Sequence, residues 1–230
     1  MTNPLFWYGG EAVEGATLEV FAALLEGARC FIDVGAYVGN YSLLAGLHDG
    51  TRRVHAFEPM PDTLEVLKRN ISLNGLANVE AHGAAVADEE GEIDLHIPRA
   101  GLPSSTTTRR EFRQPDRTVR VPAVTLDGFA ESRRLEKIDL IKIDTETSEP
   151  EVLAGARSIL ERHEPFIICE VLAGQREEDL ERILAPLPYD RFWITSRGLV
   201  EMSTIKGDSE GRHLNYLFVP RAKREMILAH

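Results

Sequence analysis

Three short clusters in this 230-residue chain combine residue types and spacings that suit ligand chemistry. The first is Asp33-Val-Gly35-Ala36-Tyr37-Val-Gly39-Asn40-Tyr41-Ser42, the second Glu58-Pro59-Met60, and the third Asp144, Glu146 and Glu149 within six residues. Gly35 and Gly39 let the backbone turn tightly and approach a ligand without a Cβ clash. A helix opening after Gly39 would offer free N–H groups to an anion such as an amino-acid carboxylate. Asp33 can face an α-ammonium, and Glu58 can accept hydrogen bonds from both hydroxyls of a ribose. Nicotinamide sites usually show G-x-G-x-x-G. Here three residues separate the glycines and an acid precedes them, which favours S-adenosylmethionine.

These residues need a frame that brings strand ends together. Cys30–Val34 is an apolar run too short for a helix and reads as a buried parallel strand ending at the glycine turn. Arg53–Phe57 reads as the next strand, ending at Glu58, and Ile138–Asp144 as a strand that delivers the three acids. Further strands are expected at Val79–Val86, Phe166–Val171, Arg191–Thr195 and Leu214–Val219. Helical spacing marks Ala16–Glu26, Gly39–Leu47, the segment opened by Pro61 and Asp62, Thr125–Arg134, a segment opened by Ser148 and Glu151 as a capping box, and Glu177–Leu184.

Alternation of strand and helix predicts an α/β fold, with a mostly parallel sheet covered on both faces. The last two strands, with no helix between them, should form an antiparallel edge hairpin. Ligands of such sheets sit at the carboxyl ends of strands where the strand order reverses. Residues 1–230 read as one domain, with 1–27 as a helical segment or lid carrying Trp7 and Tyr8. Residues 88–123 read as an insertion of extra strands, Glu92–Ile97 and Thr118–Val121, around a polar loop.

Composition narrows the partners. Lys plus Arg number 26 against 37 Asp plus Glu, a net charge of −11, and a field of that sign repels nucleic acid. No apolar run approaches the ~20 residues of a membrane span, and Met1–Gly10 lacks the grading of a signal peptide. A cytoplasmic location is expected. Cys30 and Cys169 sit beside or within apolar runs and read as buried free thiols. His55 reads as a packing residue in its strand, and His82, Gly83 and Ala84 as a turn bordering an adenine. No Cys/His spacing suggests zinc.

The segments Phe31–Ser42, Phe57–Pro59, Leu140–Asp144 with Glu146 and Glu149, and Val152–Ala156 together resemble the FkbM-type methyltransferases. The likeness runs from about Gly27 to Val171 and weakly to Val219. It implies a class I, Rossmann-like methyltransferase fold with a seven-stranded sheet, S-adenosylmethionine as donor, and O-methylation of a sugar or secondary-metabolite hydroxyl. It also implies that the loop around Ser104–Thr107 lies near the site. Two positions depart from the family pattern: Tyr37 stands where Asn is usual, and Thr147 where Gly is usual.

Methyl transfer to a hydroxyl is an in-line displacement, helped by positioning and by a base that typically adds about 10²–10⁴-fold. Asp144 is the first choice to face the methyl group or orient the acceptor. Glu146 and Glu149 are alternative bases, and Glu149 can equally serve the helix N-terminus. Lys142 reads as a buried or paired structural lysine. The acids, with Glu170, could also gather a divalent cation, but their spacing is not diagnostic and no metal ligand is assigned. The expected cofactor contacts are Asp33, Gly35, Ala36, Tyr37, Gly39, Asn40, Tyr41, Glu58, Pro59, Met60, Gly83, Ala84 and Asp144. Two other readings fit fewer residues: a cofactor-binding domain without transfer chemistry, and a nicotinamide-dependent oxidoreductase.

Overall fold

A computed structural model describes residues 15–98 and 115–228. The expected aromatic lid at Trp7 and Tyr8 and the polar loop around Ser104–Thr107 lie outside the described residues. Strands β1 (Cys30–Val34), β2 (Arg53–Phe57) and β3 (Val79–His82) alternate with helices α1 (Gly15–Leu25), α2 (Asn40–His48) and α3 (Pro61–Leu73). Strands β4 (Ala85–Val86), β5 (Gly91–Pro98) and β6 (Pro115–Val124) follow, then α4 (Leu126–Ser132) and β7 (Leu140–Ile143). The chain continues through α5 (Glu149–Ala154), α6 (Arg157–Arg162), β8 (Phe166–Glu170), α7 (Glu177–Leu184), β9 (Tyr189–Thr195), β10 (Gly198–Glu201), β11 (Asn215–Pro220) and α8 (Arg224–Leu228).

The main sheet has the order β10-β9-β11-β8-β7-β1-β2-β3. The pairs β1·β2, β2·β3, β1·β7 and β7·β8 are parallel. Among the described residues it holds eight strands rather than the expected seven, because the short β10 folds back on β9. The edge hairpin is therefore β9–β10. Strand β11 is not at the edge: it inserts antiparallel between β8 and β9, where all six of its residues are buried.

All five residues of β1 are buried as well, because helices cover both faces. On one face Phe31, Leu140, Ile168 and Leu217 pack under Phe21 and Leu25 of α1 and Tyr41 and Ala45 of α2. On the other, Ile32, Ile141, Ile143 and Ile167 pack under Leu126, Val152, Leu160 and Leu180 of α4 to α7. Arg52 is only 1% exposed. Its guanidinium donates to the carbonyls of Leu25, Ala28 and Ala45, and so satisfies α1 and α2 where their backbone acceptors would otherwise be buried unpaired.

Two expected elements divide. Val79–Val86 is not one strand: β3 ends at His82, and β4 pairs with β6 in a separate three-stranded sheet, order β4-β6-β5. The helix opened by Ser148 breaks after Ala154. A Cβ on Gly155 would stand 2.1 Å from the carbonyl oxygen of Ala87, so the backbones touch there and only glycine fits. Asp127 restarts the helix by accepting from the amides of Ser158 and Ile159 at 2.8 and 3.0 Å. The capping box at Ser148 does not form, since its side chain makes no capping bond to α5.

Candidate functional site

Strand order reverses between β1 and β7, and the carboxyl ends of β1, β2 and β7 frame a cavity of about 290 Å³. After β1 the chain turns through three left-handed residues: Gly35 (φ 81°), Tyr37 (φ 51°) and Gly39 (φ 100°). A Cβ on Gly35 would lie 1.8 Å from the carbonyl oxygen of Asp144, so the first glycine is required by the close passage of the β7 exit. The amides of Gly35 and Ala36 both donate to the Phe57 carbonyl, at 3.1 and 2.9 Å, which locks the turn against the end of β2.

Glu58 joins these elements. One carboxylate oxygen accepts from the Tyr37 amide at 3.0 Å and the other from the Met60 amide at 2.9 Å. The side chain is therefore fixed by backbone donors and lines the cavity. Asp33, 2% exposed, accepts from the Ser42 hydroxyl at 2.6 Å. Burial pushes the Asp33 carboxyl up to about 6 and that of Glu58 up to about 7. Two buried acids in one cavity suit a ligand that brings positive charge and hydroxyl donors. The opposite wall is apolar: Met60, Ala85, Leu95 and Val121 form their own cluster, and the first three also line the cavity.

At the β7 exit the Lys142 ammonium donates to Asp144 at 3.0 Å and sits 5.2 Å from the Tyr41 ring centre. Burial opposes its charge, but Asp144 and its other neighbours hold its pKa above the ordinary lysine value. Glu149 is 4% exposed, and one of its carboxylate oxygens accepts from the amides of Thr145 and Thr147 and from the Thr145 hydroxyl, at 3.0–3.1 Å. Burial raises its pKa. Between these acids Glu146 (φ 54°) and Thr147 (φ 83°) are both left-handed. The Thr147 hydroxyl is buried without a hydrogen-bond partner among the described residues.

Of the residues expected here, Asp33, Gly35, Ala36, Tyr37, Asn40, Tyr41, Glu58, Pro59, Met60, Ala84, Asp144 and Glu146 line the cavity. Three do not. Gly39 serves the turn, where a Cβ would come within 2.5 Å of Leu67 Cδ1, and Gly83 is exposed beyond β3. Glu149 binds the loop backbone rather than the cavity. Lys142, read as structural, lines the cavity, as does Leu95 from the small sheet. The signal for Lys142 was its alternation with Asp144 on a strand, whereas Leu95 gave no local sign. Burial, reinforced by Asp144, raises the Glu170 carboxyl to about 9.

Comparison with known proteins shows the family and the fold. The FkbM methyltransferase domain profile matches residues 33–196. A hexuronic acid methyltransferase, AglP of Haloferax volcanii, is 26% identical over 171 residues, covering 73% of this chain and 67% of that protein. The 31-O-demethyl-FK506 methyltransferase FkbM of Streptomyces tacrolimicus is 31% identical over 150 residues, covering 54% of this chain and 57% of its own. The chain likewise spans 57% of Methyltransferase 1 of Beauveria bassiana. Among solved structures, a Methyltransferase FkbM from Methylobacillus flagellatus gives a TM-score of 0.53 at 20% identity, over 84% of this chain and 43% of that one. The O-methyltransferase TomG of Streptomyces achromogenes, solved with its methyl donor bound, gives 0.51 at 14% identity, over 90% and 79%. Both share the class I methyltransferase fold.

Proposed function

Because the chain belongs to the FkbM methyltransferase family, we propose that it is an S-adenosylmethionine-dependent O-methyltransferase acting on a hydroxyl of a sugar or secondary metabolite. The observation that carries this reading is Glu58, held by two backbone amides at the mouth of β2, with Asp33 buried beside it in the same cavity. When bound, the cofactor supplies a methyl group already activated by a positive sulfur. Glu58 would accept the ribose hydroxyls and Asp33 would face the ammonium. Met60, Ala85 and Leu95 offer an apolar wall for the adenine.

Asp144 and Glu146 lie at the cavity side of the β7 exit, where an acceptor would approach. Lys142 fixes the direction of the Asp144 carboxylate, which then orients the acceptor hydroxyl and takes its proton as the oxygen gains the methyl group. Glu149 keeps the Thr145–Thr147 loop in shape. A small acceptor, not a nucleic acid, accords with the net charge of −11. Among the described residues no helix is long and apolar enough to cross a membrane, which accords with a cytoplasmic enzyme.

Calorimetry with S-adenosylhomocysteine, paired with thioether release from S-adenosylmethionine over a panel of hexuronic acids, neutral sugars and macrolide alcohols, tests the reading. Tight cofactor binding with turnover on at least one acceptor is expected, and absence of cofactor binding refutes it. A second reading, a cofactor-binding domain without transfer, is favoured only by the strained Thr147 beside the acids. Cofactor binding without turnover on any acceptor in the panel would select it.

A further inference from the structure

We propose that His55, Glu80 and His82 form a binding site for a zinc-type divalent transition cation, outside the cavity described above. In β2 and β3, His55 is the register partner of Glu80, and His82 that of Phe57. Alternation along the two strands then puts His55, Phe57, Glu80 and His82 on one face, and Phe129 of α4 packs over the rings of His55, Phe57 and His82. None of the three proposed ligands lines the reaction cavity.

The ligand atoms converge. His55 Nδ1 is 3.2 Å from His82 Nε2 and 3.7 Å from a Glu80 carboxylate oxygen, and one ligand atom from each residue lies within 4.8 Å of the others. Two imidazole nitrogens at about 2.0–2.1 Å from a tetrahedral zinc stand about 3.3 Å apart. The observed pair already stands at about that separation. The His55 and His82 side chains are 8% and 12% exposed. Glu80 is 47% exposed, which leaves an entry path from solvent.

Two imidazoles and one carboxylate select a borderline cation over magnesium or calcium, which prefer all-oxygen shells. One feature opposes the metal: Arg133 already holds both Glu80 oxygens, at 2.7 and 3.2 Å. Binding must draw Glu80 from that guanidinium, so loss of Arg133 should strengthen the site. The metal would be structural. It would pin edge strand β3 to β2 where the His82 carbonyl accepts from the Glu58 amide at 3.0 Å.

The test is titration of the full chain, free of any polyhistidine tag, with Zn²⁺ and Co²⁺ against a competing chelator, with melting temperature read in parallel. One equivalent per chain is expected, with a tetrahedral Co²⁺ absorption spectrum and a raised melting temperature. His82→Ala and Glu80→Gln should each weaken binding at least tenfold, while Arg133→Gln should tighten it. Glu80 and Arg133 are surface residues, so their variants keep the test valid if His82→Ala fails to fold. No stoichiometric binding overturns the proposal. So does binding unaffected by Glu80→Gln and Arg133→Gln but lost in Asp144→Asn, which would put the cation among the acids of the β7 exit.

Discussion

Replacing Thr147 with glycine should make the protein more stable. A β-branched residue at φ 83° is held in a region that costs a non-glycine residue of order 1–3 kcal/mol. Its buried hydroxyl without a partner adds roughly 1–3 kcal/mol. Against this, glycine gives the unfolded chain more freedom, worth about 0.5–1 kcal/mol. Loss of the buried methyl group and Cβ removes about 1–1.5 kcal/mol of apolar burial. The balance favours Thr147→Gly by about 1–2 kcal/mol. For a chain of this length that is a melting-temperature rise of about 2–8 °C by scanning calorimetry. Thr147→Ala removes the hydroxyl but keeps the backbone strain, so it should recover less than glycine does. A glycine variant that melts at or below wild type would refute the reasoning, and one no better than alanine would show that the backbone is unstrained.

Glu58→Ala should weaken S-adenosylhomocysteine about 10- to 100-fold by calorimetry, from loss of charge-assisted hydrogen bonds worth roughly 1.5–3 kcal/mol; unchanged affinity would move the ribose elsewhere. In the cofactor-free protein the Glu58 carboxyl is raised from 4.5 to about 7, so its folded form binds more protons than its unfolded form. That contribution is complete below about pH 4.5 and is lost as pH rises through about 7. The stability advantage of Glu58→Gln over wild type should therefore grow between pH 5 and 8 in melting experiments. Asp144→Asn should leave cofactor affinity within about threefold but lower turnover by about 10²-fold or more, and wild-type turnover would remove Asp144 from the reaction. Gly35→Ala, whose Cβ meets the Asp144 carbonyl at 1.8 Å, should fail to fold or should melt far below wild type.

The parts of the site written in contiguous residues were readable in advance. The apolar run of β1, its glycine turn and the acid ending β2 are local patterns, and each follows from a rule about short stretches of chain. What arises from register was not readable. Leu95 reaches the cavity through a second sheet, and the His55–Glu80–His82 cluster exists only because β3 pairs with β2 in one alignment. Helix caps failed for a related reason: a Ser-x-x-Glu spacing suggested a cap at Ser148, but Glu149 holds this loop from inside. The two departures from the family pattern gain a physical meaning. Tyr37 and Thr147 both sit at left-handed φ, where Asn and Gly, the residues usual in the family, carry the lower backbone cost.

The apolar wall of the cavity comes partly from Met60 and Ala85, and partly from Leu95 on the small β4-β6-β5 sheet. The main sheet does not depend on that hairpin for its own strand pairing, while the hairpin contributes a face of the pocket. Such an arrangement separates two selective pressures. Substitutions in β5 and β6 can reshape the wall proposed for the adenine while the central β1–β2–β7 frame stays fixed, so the fit of the cofactor's base and the frame that holds Asp33 and Glu58 can vary separately. Exchanging β5 and β6 between two such proteins would then alter that wall without rebuilding the frame.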